Sequence, residues 1–339
     1  MIEEIAYVFS IGFFVTYLLT PIIANIAKKY GLTRPDVHKP GNPQIPTLGG
    51  LALYFGLLAS LSVAALFFPD FILQITAVLS SATILAIIGL IDDIKILPGK
   101  IKTASTILAI LPIAIIGFLY PKETGLWLGY RPIVPLVGSL RLTIIYWLLL
   151  PLAVAGPANA VNMIDILNGL MTSTSIVTVT ALILSATYLG NKIALVLFSA
   201  LLGALAGFLP YNKFPSRVFA GDSGGLLVGG TIGAIAILSK MEFITLIALM
   251  PEILNAFYIV SSIKGFIEHR NIKESPTFLL SNYKMRASEK PNAPITLTRI
   301  ILLFGGDASE RELIRAFVLI QLFSSILALI TTLLLRVRI

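Results

Sequence analysis

The stretch Ala82–Lys102, ATILAIIGLIDDIKILPGKIK, decides the fold. An apolar run ends on two adjacent carboxylates, Asp92 and Asp93, followed by Lys95, Lys100 and Lys102. A carboxylate inside hydrocarbon costs about 2.5–3.5 kcal/mol on insertion scales. The run therefore reads as a membrane span that stops at this pair, and the pair as a place for chemistry or for a bound cation. The plainer alternative is a charge cluster snorkelling at the membrane edge.

Composition points the same way. Of 339 residues, 57% are hydrophobic and 12% charged, with mean hydropathy +0.93, whereas a soluble domain carries about 25% charged residues. The expected fold class is an all-α integral membrane protein, residues 1–339 forming one polytopic domain. The chain has no cysteine, which excludes a disulfide frame and a thiolate metal site. The net charge of +8 reads as basic loops meeting anionic lipid or an anionic substrate, not nucleic acid. Glu3 and Glu4 precede the first apolar run, where a signal peptide needs positive charge.

A span needs about 20 apolar residues. Ten are expected: Ile5–Ala27, Leu48–Phe68, Phe71–Ile91, Thr103–Tyr120, Leu142–Ala158, Gly169–Leu189, Ile193–Leu209, Ser223–Ser239, Phe243–Ile263 and Leu313–Leu335. Acidic residues before the first and Lys28–Lys29 after it put the N-terminus outside. The loops 28–47, 92–102, 159–168, 210–222 and 264–312 then face inside and hold most of the Lys and Arg, in keeping with the positive-inside rule. Pro251 should bend or break the ninth span. Ser309 and Glu312 fit a capping box before the tenth, and the 264–312 segment is long enough to fold over a site.

The other polar motifs fall on the same side. In NAVNMIDILNGL (159–170), Asn159, Asn162 and Asp165 follow a helical spacing that puts them on one face, with Asn168 next. Amide and carboxylate oxygens so arranged suit Mg²⁺ or a polar ring edge, although a polar loop or cap would look similar. In PSRVFAGDSGGLLVGG (215–230), Asp222 opens a glycine-rich helix whose N-terminal N–H groups suit phosphate. Gly224, Gly225, Gly229 and Gly230 are expected to let helices approach closely. RPDVHKPGNPQIPTLGG (34–50) reads as a shaped loop carrying His38 and Lys39. His269 and Arg270 open the last large loop, where Arg suits pyrophosphate and a basic juxtamembrane segment is the bland reading. Carboxylates, amides and cations converging on an apolar groove suit a metal-bound anionic substrate and a lipid co-substrate, the setting of phosphoryl transfer.

At these residues the chain resembles the polyprenyl-phosphate N-acetylhexosamine-1-phosphate transferase superfamily. The shared motifs are IPTLGG (45–50), DDIKILPGKIK (92–102), NAVNMIDILNGL (159–170) and PSRVFAGDSGG (215–225). The resemblance implies ten or eleven helices, a cytosolic active-site groove and a broken ninth helix. It also implies transfer of sugar-1-phosphate from a UDP-sugar to a polyprenyl phosphate, with Mg²⁺ and release of UMP. Carried over by motif, Asp222 and Asn162 would ligate Mg²⁺, Lys102 would contact phosphate, Phe219 would stack on uracil and Asn168 would read its edge. His269 and Arg270 would bind N-acetylglucosamine. Asp92 and Asp93 would deprotonate or orient the lipid phosphate, and direct attack by that phosphate is the preferred route. Asn159 belongs to the same substrate-binding motif.

His269 is the one histidine of the last loop, which does not fit the histidine-rich motif of the muramyl-pentapeptide branch. EHR (268–270) and residues 292–317 are similar to the eukaryotic-type dolichyl-phosphate N-acetylglucosamine-phosphotransferase. Glu268 departs from that branch's first Arg, and Asp165 looks like the bacterial branches. An archaeal-like enzyme of a prokaryotic cell membrane fits both. The expected partners are UDP-N-acetylglucosamine, dolichyl or another polyprenyl phosphate, and membrane lipid; a homodimer is left open. The rivals are an undecaprenyl-phosphate enzyme for surface polymers, and a nucleotide-sugar or cation transporter. A transporter should show related halves with broken helices at the midplane, and no strong internal repeat is visible.

Overall fold

The computed structural model describes residues 1–126, 132–135, 138–140, 143–263, 265 and 274–335. The apolar runs become helices because a span without water must satisfy its backbone internally. In chain order they are α1 (Ile2–Lys29), α2 (Gly49–Phe67), α3 (Ile72–Ile94), α4 (Gly99–Thr106), α5 (Leu111–Leu119), the short α6 (Pro121–Thr124), α7 (Thr143–Ile164), α8 (Leu170–Leu189), α9 (Lys192–Asn212), α10 (Gly221–Ser239), α11 (Glu242–Ala248), α12 (Met250–Ser262), α13 (Leu297–Gly305) and α14 (Glu310–Leu334). Among the described residues nine stretches are long and apolar enough to cross a membrane, α4 and α5 forming one of them. The tenth is the pair α11–α12, bent by 70°. The broken ninth span is thus present. Pro251 lies in the first turn of α12, where its missing N–H costs nothing.

Helix α10 is the axis of the bundle, with every residue from Ser223 to Ser239 buried. It packs chiefly on α3 and α7. Its glycines make this possible: side chains at Gly229 and Gly233 would run into the backbone of α7 at Pro157 and Ala153, and one at Gly230 into Leu85 of α3. On another side Gly50 of α2 lies against the backbone of Gly224. Small residues that allow such approach are how helices associate without a hydrophobic drive from water.

Short strands dress both ends of the bundle, the first and last sets at the end where α7 stops and the middle hairpin at the end where it starts. Strands β1 (Thr33–Pro35) and β2 (Gln44–Pro46) form an antiparallel hairpin with Arg34 opposite Ile45. A second hairpin, β3 (Ile133–Val134) with β4 (Gly138–Ser139), precedes α7. In the long segment before α14, β5 (Thr277–Leu279), β6 (Lys284–Ala287) and β7 (Ala308–Ser309) form a three-stranded sheet. Met285, Ala287 and Leu302 from this segment pack on Ile164, Leu167 and Leu170 at the α7–α8 turn. The Ser309–Glu312 capping box is formed as expected.

One boundary differs by more than four residues. Helix α7 runs on to Ile164, six residues beyond the expected Ala158, so Asn159 and Asn162 are helical while Asp165 lies past the end. The three therefore do not line one helix face. The expected loop 159–168 is half helix because its apolar residues continue to bury against α10.

Candidate active site

The site assembles where α3 and α7 end and α4 and α10 begin. Asp93, in the last turn of α3, has a fully buried side chain. Its Oδ1 accepts the backbone N–H of Asp222 at 2.8 Å. Its Oδ2 accepts the N–H of Ser223 at 3.0 Å and the Ser223 hydroxyl at 2.7 Å. The residue before α10 is Ala220, which offers no side-chain cap. Asp93 supplies from a neighbouring helix what an N-cap side chain normally supplies locally, and its charge faces the positive end of the α10 dipole. Gly221, at φ +72°, takes the turn into α10 and leaves room where a side chain would strike this carboxylate.

Its neighbour Asp92 does something else. Oδ1 accepts the N–H of Leu97 at 2.6 Å and Oδ2 faces Lys102 Nζ at 2.7 Å. Lys102, in the first turn of α4, also donates to Asp222 Oδ1. The same oxygen accepts the Asn162 amide at 2.9 Å. Asp222 Oδ2 points the other way, 3.6 Å from Arg34. Asp222 and Lys102 keep 16% and 14% of their side chains exposed, enough for water or substrate to reach them.

Asp165 sits just outside this group. Burial, together with the charges of Asp222 and Asp93, pushes its carboxyl up to about 7, against the pull of the Met171 N–H. Asn159 lies one turn before Asn162 and bonds Thr106 Oγ1 at 2.9 Å and Ala155 O at 2.8 Å, tying α7 to α4. It also lines an apolar cavity of about 830 Å³. The cavity runs from Thr103 and Asn159 to Glu242 and Phe243 at the opposite end of the helices.

Asn168 belongs to a second cluster, 4% exposed. Its Oδ1 accepts Lys39 Nζ and the Ser216 N–H, both at 2.6 Å, and its Nδ2 donates to Asp36 at 3.2 Å. Its backbone N–H donates to Glu310 Oε1 at 2.8 Å. Lys39 completes the knot by bonding Asp36 and lying 3.3 Å from Glu310 Oε2. Phe219, partly buried, is tied through its backbone to Pro46 and Gly49 beside the first hairpin. His269 and Arg270 lie outside the described residues.

Asp222 and Asp92 offer carboxylate oxygens, the ligands a hard divalent cation takes, and Asn162, whose amide nitrogen faces Asp222 here, would offer its oxygen with the amide turned over. Lys102 Nζ stands between two of the carboxylates, so a cation there would share them with it. Asp36, His38 and Glu310 also bring possible ligand atoms within 4.8 Å of one another, but the Lys39 ammonium already sits on two of them.

The model of glycosyl transferase family 4 matches residues 75–240. A Saccharolobus solfataricus protein named as a candidate UDP-N-acetylglucosamine–dolichyl-phosphate N-acetylglucosaminephosphotransferase is 30% identical over 72% of this chain and 74% of its own. The chain belongs to glycosyl transferase family 4. It is accordingly a sugar-phosphate transferase within the polyprenyl-phosphate N-acetylhexosamine-1-phosphate transferase superfamily. Other family members are similar at nearly the same level. A Clostridium kluyveri phospho-N-acetylmuramoyl-pentapeptide-transferase is 30% identical over 78% of this chain and 85% of its own. A Bacillus subtilis protein named as a candidate undecaprenyl-phosphate N-acetylglucosaminyl 1-phosphate transferase is 28% identical over 74% and 67%.

For this family 4 chain, motif reading identified Asp92, Asp93, Lys102, Asn162 and Asp222, which the structure brings together. It passed over Arg34, Ser223 and Glu310. Ser223 and Arg34 stand inside quoted motifs, GDSGG and RPD, but nothing local marks them. Glu310 was visible only as part of a helix start.

Proposed function

We propose that this chain transfers N-acetylglucosamine-1-phosphate from UDP-N-acetylglucosamine to a dolichyl-type polyprenyl phosphate, releasing UMP and starting a lipid-linked oligosaccharide for N-glycosylation. The observation that carries this is the junction of a carboxylate–lysine–amide cluster with an apolar cavity beginning at Thr103 and Asn159. A water-soluble diphosphate and a lipid tail can meet only at such a junction. The site faces the cytosol in this reading, supported by the basic residues of its loops, and the Saccharolobus relative supports an archaeal-like cell membrane.

In the reaction an oxygen of the lipid phosphate attacks the sugar-linked phosphorus. A new P–O bond forms as the bridging P–O bond to the uridine-linked phosphate breaks, and UMP leaves with the electron pair. Asp222 and Asn162 would hold Mg²⁺. That ion, when bound, neutralises diphosphate charge and polarises the phosphoryl group. Lys102 balances Asp92 and Asp222 and meets incoming phosphate. Asp92 orients the lipid phosphate, while Asp93 keeps the α10 N-terminus and Asp222 in place. The apolar walls excise water from the acceptor side, so the attacking group is phosphate and not hydroxide. The Bacillus relative supports a second reading, undecaprenyl phosphate as acceptor.

The test is purified protein with dolichyl phosphate, Mg²⁺ and labelled UDP-N-acetylglucosamine, scoring labelled lipid and UMP together, with and without EDTA. Equal, EDTA-sensitive amounts of both are expected. Label entering liposomes with no lipid product would reject the transferase reaction, and product with undecaprenyl phosphate alone would move the acceptor.

A further inference from the structure

Arg34 stands out because, among the described residues, its guanidinium meets only two carboxylates, both at long range. It lies on β1, and the hairpin that carries it is firmly anchored. Thr47 donates from its N–H and its hydroxyl to Leu32 O, at 3.0 and 3.1 Å. Phe219 N–H donates to Pro46 O at 2.9 Å, Gly49 N–H to Phe219 O at 3.0 Å, and Gly50 N–H to Ala220 O at 2.8 Å. The hairpin is therefore bonded to the very segment that delivers Asp222, so Arg34 and Asp222 move as one frame.

From that frame the guanidinium reaches 3.6 Å from Asp222 Oδ2 and 3.7 Å from Asp93 Oδ1, with 41% of its side chain exposed. Both distances exceed a hydrogen bond of good geometry. The fork thus leans on the carboxylates electrostatically while its donors stay available. Among the described residues two cations divide Asp222 between them: Lys102 takes Oδ1 and Arg34 lies toward Oδ2. Lys102 is next to Thr103, where the apolar cavity starts. Arg34 shares its hairpin frame with Phe219, on the other side. One cation thus faces the lipid side and the other faces away from it.

We propose that Arg34 binds the phosphate of the nucleotide, the group that leaves as UMP. This rests on the transferase reading above. When the bridging P–O bond breaks, the new negative charge collects on the uridine-linked phosphate. A planar fork with several N–H donors is the side chain best shaped to take two of its oxygens.

The experiment uses the full chain in lipid nanodiscs: wild type, Arg34→Gln and Arg34→Lys. Calorimetry measures UMP and uridine separately, and kinetics give KM for the UDP-sugar and for polyprenyl phosphate. Arg34→Gln should weaken UMP about tenfold or more, the scale of a hydrogen bond to a charged group, and leave uridine and the acceptor KM unchanged. Arg34→Lys should recover part of the loss. Unchanged UMP affinity in Arg34→Gln overturns the inference, and an equal loss of UMP and uridine assigns Arg34 to hairpin shape instead. A rise confined to the acceptor KM gives the phosphate to the lipid and overturns the nucleotide assignment. Wild type that binds UMP through Arg34 but makes no labelled lipid rejects the proposed reaction and keeps the phosphate site. Wild type that turns over and is indifferent to Arg34→Gln does the reverse, and wild type that does neither overturns both.

Discussion

Lys102 and Lys39 are held in similar company, each between two carboxylates and close to an asparagine. Around Lys39 the three ammonium donors meet three acceptors, on Asp36, Asn168 and Glu310, and both polar atoms of the Asn168 amide have partners as well. That cluster joins the first hairpin, the α7–α8 turn, the 212–219 segment and the start of α14. Around Lys102, Asp92 has a partner on each oxygen, but Asp222 turns one oxygen toward the open side, where Arg34 stays 3.6 Å away. The same residue types make a fastening in one place and a reaction site in the other. What separates them is how many polar atoms are left over once the fold is satisfied.

Removing a group from each cluster should therefore have opposite signatures. The largest effect is expected for Asp222→Ala, which should lower turnover about a thousandfold, as loss of a key electrostatic group does, with little change in thermal midpoint. Activity near wild type, by labelled-lipid assay, would break the comparison at its reactive end. Glu310→Ala should act mainly on stability. It strips an acceptor from half-buried Lys39 and from the buried Asn168 N–H, and breaking such a pair costs up to about 3 kcal/mol. A clear drop in the thermal unfolding midpoint is the expected reading; an unchanged midpoint with lost turnover would move Glu310 into the reactive cluster.

The smallest effect concerns Asp165, between the two. Its folded carboxyl is pushed up to about 7 from an ordinary 3.8. The folded state then holds a proton that the unfolded state has released between those values, so this group's contribution to stability falls as pH rises from about 4 to about 7 and is flat above. Asp165→Asn should gain thermal stability relative to wild type over that window and hold the gain at higher pH. A difference independent of pH would show that Asp165 is not set among those charges.

The ten spans were legible because about 20 apolar residues leave few other options. The bend near Pro251 was legible from one residue. The site was legible in part, since polar motifs in alternate loops had to meet at one end. Asp92 and Asp93 are adjacent and identical in sequence, and only the arrival of α10 makes one of them a cap. Asn168 looked like a ligand reader because its partners, Lys39 and Glu310, lie 129 and 142 residues away. Arg34 could not be picked out until the hairpin and the GDSGG turn were seen to share hydrogen bonds. The end of α7 was misjudged because polar asparagines look like a loop until α10 is there to receive the apolar residues between them.

The broken span has a consequence for the shape of whatever fills the cavity. Leu246 lies before the break and Ile253 and Phe257 after it, yet all three line the same cavity. With 70° between the limbs, a tail lying along that cavity must turn a corner. A supple isoprenoid chain with many rotatable bonds can do so; a stiff, linear hydrophobe of equal length cannot. Inhibitors built on rigid rods should accordingly lose to curved or hinged ones at this cavity, whatever their head group.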